Sequence, residues 1–450
     1  MPDKKNSRLA LLARLTACVL ALAAFTLVQA SPRIEHWTTD NGARVYYVHA
    51  PELPMVDIQF IFDGGSARDG GNKGVALLTS ALLDQGAGDL DADAIAARLE
   101  DVGAQLSTSS HRDMAVVSLR SLSDENLLQP ALDVMALVLG EPTFPADSIE
   151  RERKRVLIAL RGQSQSPAKI ASKAFFTALY GEHPYAVQPL GTEESVKALT
   201  RDDLAGHYRQ YYVARNAVVA VVGALDRAAA ERVVTRLSAV LPEGEAAPPL
   251  PAVAALKENR EVHIDFPSSQ THVLMGQPGM RRGDPDYFPL YVGNHVLGGS
   301  GLVSRISEEV REKRGLAYSA YSYFSPMRQA GPYTLGLQTR NDQKDEALTV
   351  LRGTLKDFIA KGPSASELKA SKQNITGGFP LRISSNGKIA NILAVIGFYD
   401  LPLDYLDTFN SKVEAVTVEQ IRTAFQKRIH PDRMVTVTVG GAPAQASGGG

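Results

Sequence analysis

The side chains that most often carry catalysis are few in this sequence and are not spaced for it. Of the nine histidines, no two are three or four residues apart on a predicted helix, the spacing that puts two imidazoles on one face for a metal. His263 and His272 lie near a strand pattern, and we interpret them as structural. Thr79 and Ser80 carry hydroxyls on a predicted helix without a neighbouring base, and no Gly-x-Ser-x-Gly motif occurs.

The composition limits the classes of function further. Cys18 is the only cysteine, which excludes a disulfide within the chain and a cysteine-based metal site. The formal net charge is −1, so nothing electrostatic favours nucleic acid as a partner. With 44% hydrophobic and 22% charged residues, the chain has the composition of an ordinary globular protein.

The N-terminus has the pattern of an export signal. Basic residues come first, an apolar run covers residues 17–28, and small residues precede Ser31. Because this run is short for a transmembrane helix, we predict that residues 1–30 are a cleaved signal peptide and that the mature protein is periplasmic, without a stable membrane span. An uncleaved anchor and a lipoprotein signal ending at Cys18 are the alternatives.

Two stretches of the chain repeat each other at an offset of 217 residues, without a gap. They cover residues 199–223 and 416–440. Each begins with a threonine N-cap candidate (Thr200 and Thr417), continues with apolar residues at helical spacing, and ends in a β-branched run closed by glycine. A repeat this long indicates a duplicated domain rather than a solenoid unit.

The repeat suggests a division of the mature chain. Residues 31–241 form a first domain and residues 260–440 a second. Between them, residues 242–259 contain four prolines and few large apolar side chains, which predicts an extended linker. The Gly/Ala/Ser-rich residues 441–450 predict a disordered tail.

Strand and helix patterns are mixed within the first domain. Strands are predicted over 45–49, 56–62 and 115–119, and helices over 74–83, 92–102, 125–138 and 148–160. This order is typical of an α+β fold in which helices pack on a largely antiparallel sheet.

The repeat, the linker and several motifs together resemble the pitrilysin, or insulinase, family of zinc peptidases. The clearest stretch is residues 304–319, SRISEEVREKRGLAYS, with further similarity at 297–301, 183–185 and 211–223. The resemblance extends over about residues 35–440. It implies two homologous α+β domains that form one half of a clamshell around a peptide. In some members of the family the two halves are separate chains.

The resemblance also implies a lost zinc site. Catalytic halves carry His-x-x-Glu-His on a first-domain helix, where the histidines hold Zn²⁺ and the glutamate activates the metal-bound water. Aligned through Gly74 and Gly86, Leu77 takes the first histidine position, Ser80 the glutamate and Ala81 the second histidine. None of these side chains ligates zinc or acts as a carboxylate base.

A further zinc ligand in the family is an acid on a later helix. Here it falls near Ile158 or Ala159, and neither is acidic. Glu150 and Glu152 lie about two turns too early, and we interpret them as charges in the first turns of the helix. We therefore expect no cofactor in this chain and zinc in a homologous partner subunit that carries His-x-x-Glu-His.

In split members of the family, the second domain of the non-zinc half supplies an arginine and a tyrosine, seven residues apart, to the partner's active site. Arg311 and Tyr318 match this pattern in type and spacing. Gly315 is a natural helix C-cap, so we expect Arg311 in the last helical turn and Tyr318 at the start of a strand. The arginine would hold a substrate carbonyl or carboxylate, and the phenol would donate to the scissile carbonyl.

The alternative for this pair is a surface arginine bonded to Glu308 or Glu309 and an ordinary strand tyrosine. Arg314, four residues before Tyr318, is predicted to lie on the surface.

Residues 297–301 are predicted to form a flexible turn before the helix. Gly298 and Gly299 are substrate-binding candidates, because the non-zinc half of the processing peptidase handles substrate with a longer glycine-rich loop. A turn that needs positive φ is the alternative for these glycines.

Three functions follow from these patterns. The leading hypothesis is a substrate-binding subunit that completes the active site of a heteromeric periplasmic zinc endopeptidase, inactive alone and acting on peptides. The second is a catalytically inert structural or peptide-binding homologue of the same fold. The third is an independent hydrolase of another mechanism, for which the sequence offers no nucleophile with a base.

Overall fold

Two open β-sheets organise residues 32–441, the part of the chain that this computed structural model describes. The predicted signal peptide, with Cys18, and the predicted tail from residue 442 onward lie outside the described residues. We call residues 34–241 the first half and residues 260–440 the second half. The strands of the first half are β1 (Glu35–Thr38), β2 (Arg44–His49), β3 (Met55–Phe62), β4 (Gly86–Ala87), β5 (Leu90–Asp91), β6 (Gln105–Ser110), β7 (Ala115–Leu122) and β8 (Ala217–Gly223). Those of the second half are β9 (Arg260–Ile264), β10 (Gln270–Pro278), β11 (Ala317–Phe324), β12 (Pro332–Arg340) and β13 (Val435–Val439).

Helices cover these sheets in both halves. The first half contains α1 (Val75–Leu82), α2 (Ala92–Glu100), α3 (Glu125–Gly140), α4 (Ala146–Ser164), α5 (Pro167–Tyr180), α6 (Glu193–Ala198), α7 (Arg201–Tyr211) and α8 (Arg227–Ala239). The second half contains α9 (Tyr287–Asn294), α10 (Arg305–Ser307), α11 (Lys344–Lys361), α12 (Ala365–Arg382), α13 (Asn386–Phe398), α14 (Tyr405–Ala415) and α15 (Val418–Arg428). None of the described helices is both long enough and apolar enough to cross a bilayer.

The two sheets share one topology. The first has the order β1-β2-β8-β3-β7-β6, and the second, read from its other edge, has the order β9-β13-β10-β12-β11. β2 pairs with β8, and β9 with β13, in parallel, whereas the other neighbours in both sheets are antiparallel. The predicted α+β class, with two domains built on largely antiparallel sheets, is confirmed.

The repeated segments occupy equivalent places in the two sheets. Thr200 and Thr417 cap α7 and α15, and each side chain accepts a hydrogen bond from the backbone N–H three residues later. The strands that follow, β8 and β13, each lie between one parallel and one antiparallel neighbour. Gly223 and Gly440 end these segments with the same φ of 147°. The local capping and strand signals therefore predicted both units correctly.

Each half contributes one helix to the sheet of the other half. α5, from the first half, packs on β10 and β13, whereas α13, from the second half, packs on β8, β3 and β2. Glycines allow this close approach: a Cβ on Gly397 of α13 would lie 2.5 Å from atoms of Tyr46 and Val218. One apolar core consequently contains residues of both halves, for example Val218 with Leu393.

A buried carboxylate joins the halves where their hairpin loops meet. Asp113, in the β6–β7 loop, is 3% exposed. It accepts hydrogen bonds from the hydroxyls of Tyr185 at 2.5 Å and Tyr399 at 2.9 Å, and from the backbone N–H of Arg328 at 2.8 Å. Arg328 lies in the β11–β12 loop and Tyr399 follows α13, so this Asp113 cluster connects segments that are far apart in the chain.

The segment between the halves is packed rather than free. Residues 242–259, predicted as an extended linker, contain no helix or strand. Leu250 and Leu256 are nevertheless buried, and the carbonyl of Leu250 accepts a hydrogen bond from the side chain of Gln329.

Candidate functional site

The helix that carries zinc ligands in catalytic relatives is apolar here. α1 begins after Gly74. The carboxylate of Asp69 accepts hydrogen bonds at the start of this helix, from the backbone N–H of Gly74 at 2.7 Å and from that of Ala76 at 3.0 Å. Leu77 packs against the first-half core, and Ser80 is 1% exposed. These side chains serve the packing of the helix and offer no ligand to a metal.

The later helix, α4, offers no acid at the expected position either. Ile158 is 68% exposed and Ala159 is also exposed. Glu152 is buried and accepts hydrogen bonds from Arg155 at 2.9 and 3.0 Å, whereas Glu150 pairs with Arg153. Among residues 32–441, no group of three His, Cys, Asp or Glu side chains could hold a metal ion.

The two histidines considered from the sequence do not form a site. β13 lies between the strands that carry His263 and His272. His263 is bonded to Thr438 at 2.7 Å and to Asp265 at 3.2 Å. Burial lowers the pKa of His272, which favours its neutral form.

Arg311 and Tyr318 meet in the second half. The chain of α10 continues as a π-helical turn over Glu308–Glu312, and Gly315 follows with a φ of 62°. The N–H of Gly315 donates to the carbonyl of Arg311 at 2.8 Å, which closes the helix as the sequence predicted. The Arg311 guanidinium carbon lies 4.6 Å from the centroid of the Tyr318 ring, a cation–π contact.

A β-bulge sets the position of Tyr318. The register between β11 and β12 shifts between Ala317 and Ser319, so Tyr318 is the extra residue of the bulge. Its side chain is 81% exposed although the ring lies against Arg311. The pair therefore forms a preformed cationic and phenolic surface at the edge of the second sheet.

The alternative ion pairs predicted for Arg311 are not formed. Glu309 is bonded to Lys313 and Arg314, each at 2.7 Å, and these bonds lower its pKa. Glu308 lies 3.1 Å from Lys313. Arg311 instead has a longer contact of 3.4 Å with Glu312. Its guanidinium therefore contacts both this carboxylate and the ring of Tyr318.

The stretch around Arg311 is anchored through its start. Ser304 is the N-cap of α10, and Arg305 donates two hydrogen bonds to Glu367, at 2.5 and 2.6 Å. Glu367 also completes the capping box of α12 with Ser364. The hydrogen bonds from Arg305 lower the pKa of Glu367 to about 2. These bonds fix the element that presents Arg311.

The glycines predicted to form a flexible turn are part of a helix instead. A π-helical segment over His295–Gly299 continues α9, and positive φ occurs later, at Gly301. Gly298 is buried, and a Cβ there would lie 2.3 Å from the hydroxyl of Ser322. The glycine is needed because the helix packs directly on β11, so the predicted turn is wrong for this segment. Gly299 is exposed, and a Cβ on this residue would approach Asn294 rather than β11.

Sequence reasoning missed two tyrosines on the same strand as Tyr318. Tyr321 and Tyr323 point to the side of the second sheet where α5 packs, and their rings stack with centroids 5.5 Å apart. The serine-tyrosine alternation after Ser319 was the available signal, since residues two apart share one face of a strand.

Family models match most of the chain. Residues 44–193 match the model described as insulinase (Peptidase family M16), and residues 198–375 match the model described as the peptidase M16 inactive domain. These matches cover the lost zinc helix in the first half and the Arg311–Tyr318 pair in the second.

Individual relatives agree with the family models. The crystal structure of a peptidase M16 inactive domain from Pseudomonas fluorescens is 41% identical, with a TM-score of 0.88, and the match covers 92% of this chain and 99% of that one. The uncharacterized zinc protease YmxG of Bacillus subtilis is 26% identical over 79% of this chain and 86% of its own length. The non-peptidase homolog YmxG of Helicobacter pylori is 26% identical over 89% of this chain and 93% of its own. The chain belongs to the M16, or insulinase, family of peptidases.

Proposed function

We propose that this chain is the substrate-binding subunit that completes the active site of a heteromeric zinc endopeptidase acting on peptides in the periplasm. A homologous partner with the His-x-x-Glu-His motif would hold the zinc and its activated water. This chain would bring Arg311 and Tyr318 to the cleft between the two subunits. The export signal predicted over residues 1–30 supports the periplasmic location.

The observation that carries the proposal is the exposure of Tyr318. A ring that is 81% exposed adds little burial to the stability of the fold. It is nevertheless held at a bulge and against a guanidinium 4.6 Å away. An aromatic side chain kept in one position on the surface is suited to binding, because less side-chain entropy is lost when a ligand arrives.

The chemistry of the pair suits a peptide. The guanidinium has donors in a fixed plane that can bind a backbone carbonyl or a carboxylate of the substrate. The phenol can donate one hydrogen bond to an oxygen that gains negative charge when the scissile carbonyl is attacked. Neither group activates water, so this chain needs a partner for hydrolysis.

The second candidate is an inert structural or peptide-binding homologue. It is favoured by the loss of every ligand position on α1 and by the description of similar proteins as an inactive domain and as a non-peptidase homolog. The two candidates differ in one respect that can be measured. A scaffold does not need the hydroxyl of Tyr318 for turnover by its partner.

The test is reconstitution of the mature chain with the zinc-bearing M16 subunit of the same organism. Tyr318→Phe removes one exposed hydroxyl, so folding and assembly should be kept while kcat falls by about 10²–10³-fold, the usual cost of losing one oxyanion donor. Arg311→Ala should also raise KM, because the guanidinium positions the substrate.

Arg314→Ala is the matched control. Its guanidinium is on the same surface but is bonded to the side chain and the carbonyl of Glu309. The enzyme reconstituted with Arg314→Ala should have kcat and KM values near those of the wild type. If Tyr318→Phe and Arg311→Ala both behave like Arg314→Ala, the assisting role is wrong and the inert homologue takes its place. Chelator-sensitive proteolysis by this chain alone would contradict both candidates.

A further inference from the structure

The His183-Pro184-Tyr185 motif has no part in the proposed function. It follows α5, where the chain makes a 3-10 turn over Pro184–Ala186 with His183 as its N-cap. His183 is half-buried, whereas Tyr185 is completely buried. We call residues 242–259 the connecting segment. The motif lies where this segment meets loops of both halves.

Two hydrogen bonds fix the protonation state of His183. Its Nδ1 accepts from the backbone N–H of Tyr185 at 3.1 Å. Its Nε2 lies 2.9 Å from the carbonyl oxygen of Pro251, which can only accept. The ring proton is therefore on Nε2 and Nδ1 carries none, so the geometry requires a neutral imidazole.

Tyr185 connects this imidazole to the Asp113 cluster. Its hydroxyl donates to Asp113 at 2.5 Å and accepts from the backbone N–H of Gln329 at 3.1 Å. The side chain of Gln329 in turn donates to the carbonyl of Leu250 at 3.0 Å. The connecting segment is thus held by His183 from the first half and by Gln329 from the second, and Tyr185 is bonded to both.

The nearest surroundings of the ring are uncharged. The ring centroid of Tyr180, on α5, is 5.9 Å away and that of Tyr185 is 4.6 Å away. Burial raises the pKa of both phenols far above the ordinary value, so they stay neutral. Residues 246–256 of the connecting segment contain no ionisable side chain, and Glu182, next to His183 in the sequence, is exposed.

Charged groups lie further along the network. The carboxylate of Asp113 favours the imidazolium form, but burial of the ring has the larger effect and lowers the pKa of His183. Arg112 and Arg328 lie near the same carboxylate and disfavour a further positive charge.

Protonation of the ring removes one of its two bonds. A second proton can bind only at Nδ1, since Nε2 already carries one. Nδ1–H then faces the N–H of Tyr185, which is also a donor, and the hydrogen bond between them is lost. A buried donor without an acceptor is costly, so Tyr185 has to move. Its hydroxyl is the group that binds Asp113 and Gln329.

We propose that His183 is an acid-sensitive switch, in which protonation of Nδ1 displaces Tyr185 and loosens the hold of both halves on the connecting segment. The switch does not involve the Arg311–Tyr318 pair. Because the folded protein favours the neutral ring, the contribution of His183 to stability is complete above its ordinary pKa of 6.5. It is lost as the pH falls from there through the lowered pKa of the folded state.

The test is limited proteolysis of the mature chain by papain at about pH 7.5 and about pH 5, on either side of the ordinary histidine pKa. The measured quantity is the initial rate of cleavage within the connecting segment, with the fragments identified by mass spectrometry. A free peptide of residues 242–259 is digested in parallel, so that the pH dependence of papain cancels in the ratio of the two rates. For the wild type we expect this ratio to rise about tenfold in acid, the effect of one pKa unit.

Two variants that cannot be protonated assign the effect to His183. Asparagine is a good N-cap, so His183→Asn keeps an acceptor for the N–H of Tyr185 and should abolish the rise in acid. His183→Gln can keep a donor for Pro251 but loses the cap, so cleavage should be faster at both pH values, again without a rise in acid. His36→Asn is the matched control, because His36 is exposed on β1, and it should behave like the wild type.

Two results would overturn the switch. One is a wild-type ratio that does not change between the two pH values. The other is a rise in acid that persists in His183→Asn or His183→Gln, since a different group would then be titrating.

Discussion

Replacing Asp113 by asparagine should weaken the connection between the two halves. The carboxylate is buried and accepts three hydrogen bonds, from two tyrosine hydroxyls and one backbone N–H. Asparagine keeps the shape but has one acceptor oxygen in place of two, and its amide N–H₂ faces groups that are themselves donors. Hydrogen bonds to a charged group contribute about 1.5–3 kcal/mol each, and a buried donor left without an acceptor costs about 1–3 kcal/mol.

We therefore expect Asp113→Asn to lower the free energy of unfolding by about 3 kcal/mol. For a folded unit of about 400 residues, the unfolding entropy of about 2.1 cal/mol/K per residue converts this loss to a Tm about 3–4 °C lower. Differential scanning calorimetry of the mature protein measures the shift. The same variant should expose the 242–259 segment to limited proteolysis earlier than in the wild type, because Gln329, next to Arg328, holds Leu250.

Asp432→Asn is the matched control, since that carboxyl group is exposed and its nearest cation, on Arg433, is 3.8 Å away. Its Tm should change by no more than the effect of an ordinary surface substitution, within about 0.5 kcal/mol. If Asp113→Asn is as mild as Asp432→Asn, the cluster does not hold the halves together and the reasoning fails.

Three further predictions concern other parts of the chain. The hydrogen bonds from Arg305 hold the pKa of Glu367 at about 2, below its ordinary value of 4.5. This contribution to stability is present above about pH 4.5 and is lost as the pH falls towards 2. Glu367→Gln should therefore lower Tm at pH 7, and the Tm of this variant should fall less steeply in acid than that of the wild type. Parallel curves of Tm against pH for the two proteins would refute this. Metal analysis of the purified mature chain should find only background zinc, and one tightly held zinc per chain would contradict the lost site. Mass spectrometry of the exported protein should find an N-terminus at or near Ser31, whereas a lipid-modified Cys18 would mean that the signal is of the other type.

Local chemistry explains which parts of the fold were predictable. Thr200 and Thr417 start their helices through hydrogen bonds within three residues, so their role is visible in the sequence. α5 was missed although its sequence carries helix signals, because Pro167 stands in its first turn and the buried Ala171, Phe175 and Leu179 are spaced four residues apart. What local periodicity does not report is that this apolar face packs on strands of the other half, about 100 residues or more further along the chain.

The candidate site was predictable only in part, for a related reason. The spacing of Arg311, Gly315 and Tyr318 gave the helix end and the start of the strand, but simple alternation from Leu316 would put residues 318, 320 and 322 on one face. The bulge at Tyr318 interrupts that alternation, so that Ala317 is buried in the core whereas Ser319, two residues further on, is exposed. The sequence alone also does not distinguish a glycine that is needed for a positive φ from a glycine that is needed for close packing, and Gly298 is of the second kind.

The exchange of α5 and α13 has a consequence for the origin of the chain. A half-length ancestor with the same topology would leave one face of its sheet bare, since the covering helix comes from the other half. Two such molecules satisfy each other by trading helices, as in a domain-swapped dimer. Joining their genes through a segment such as 242–259 would turn that dimer into a single polypeptide with a high effective concentration of one half for the other. In such a chain each copy can diverge while the traded helices keep the two halves together.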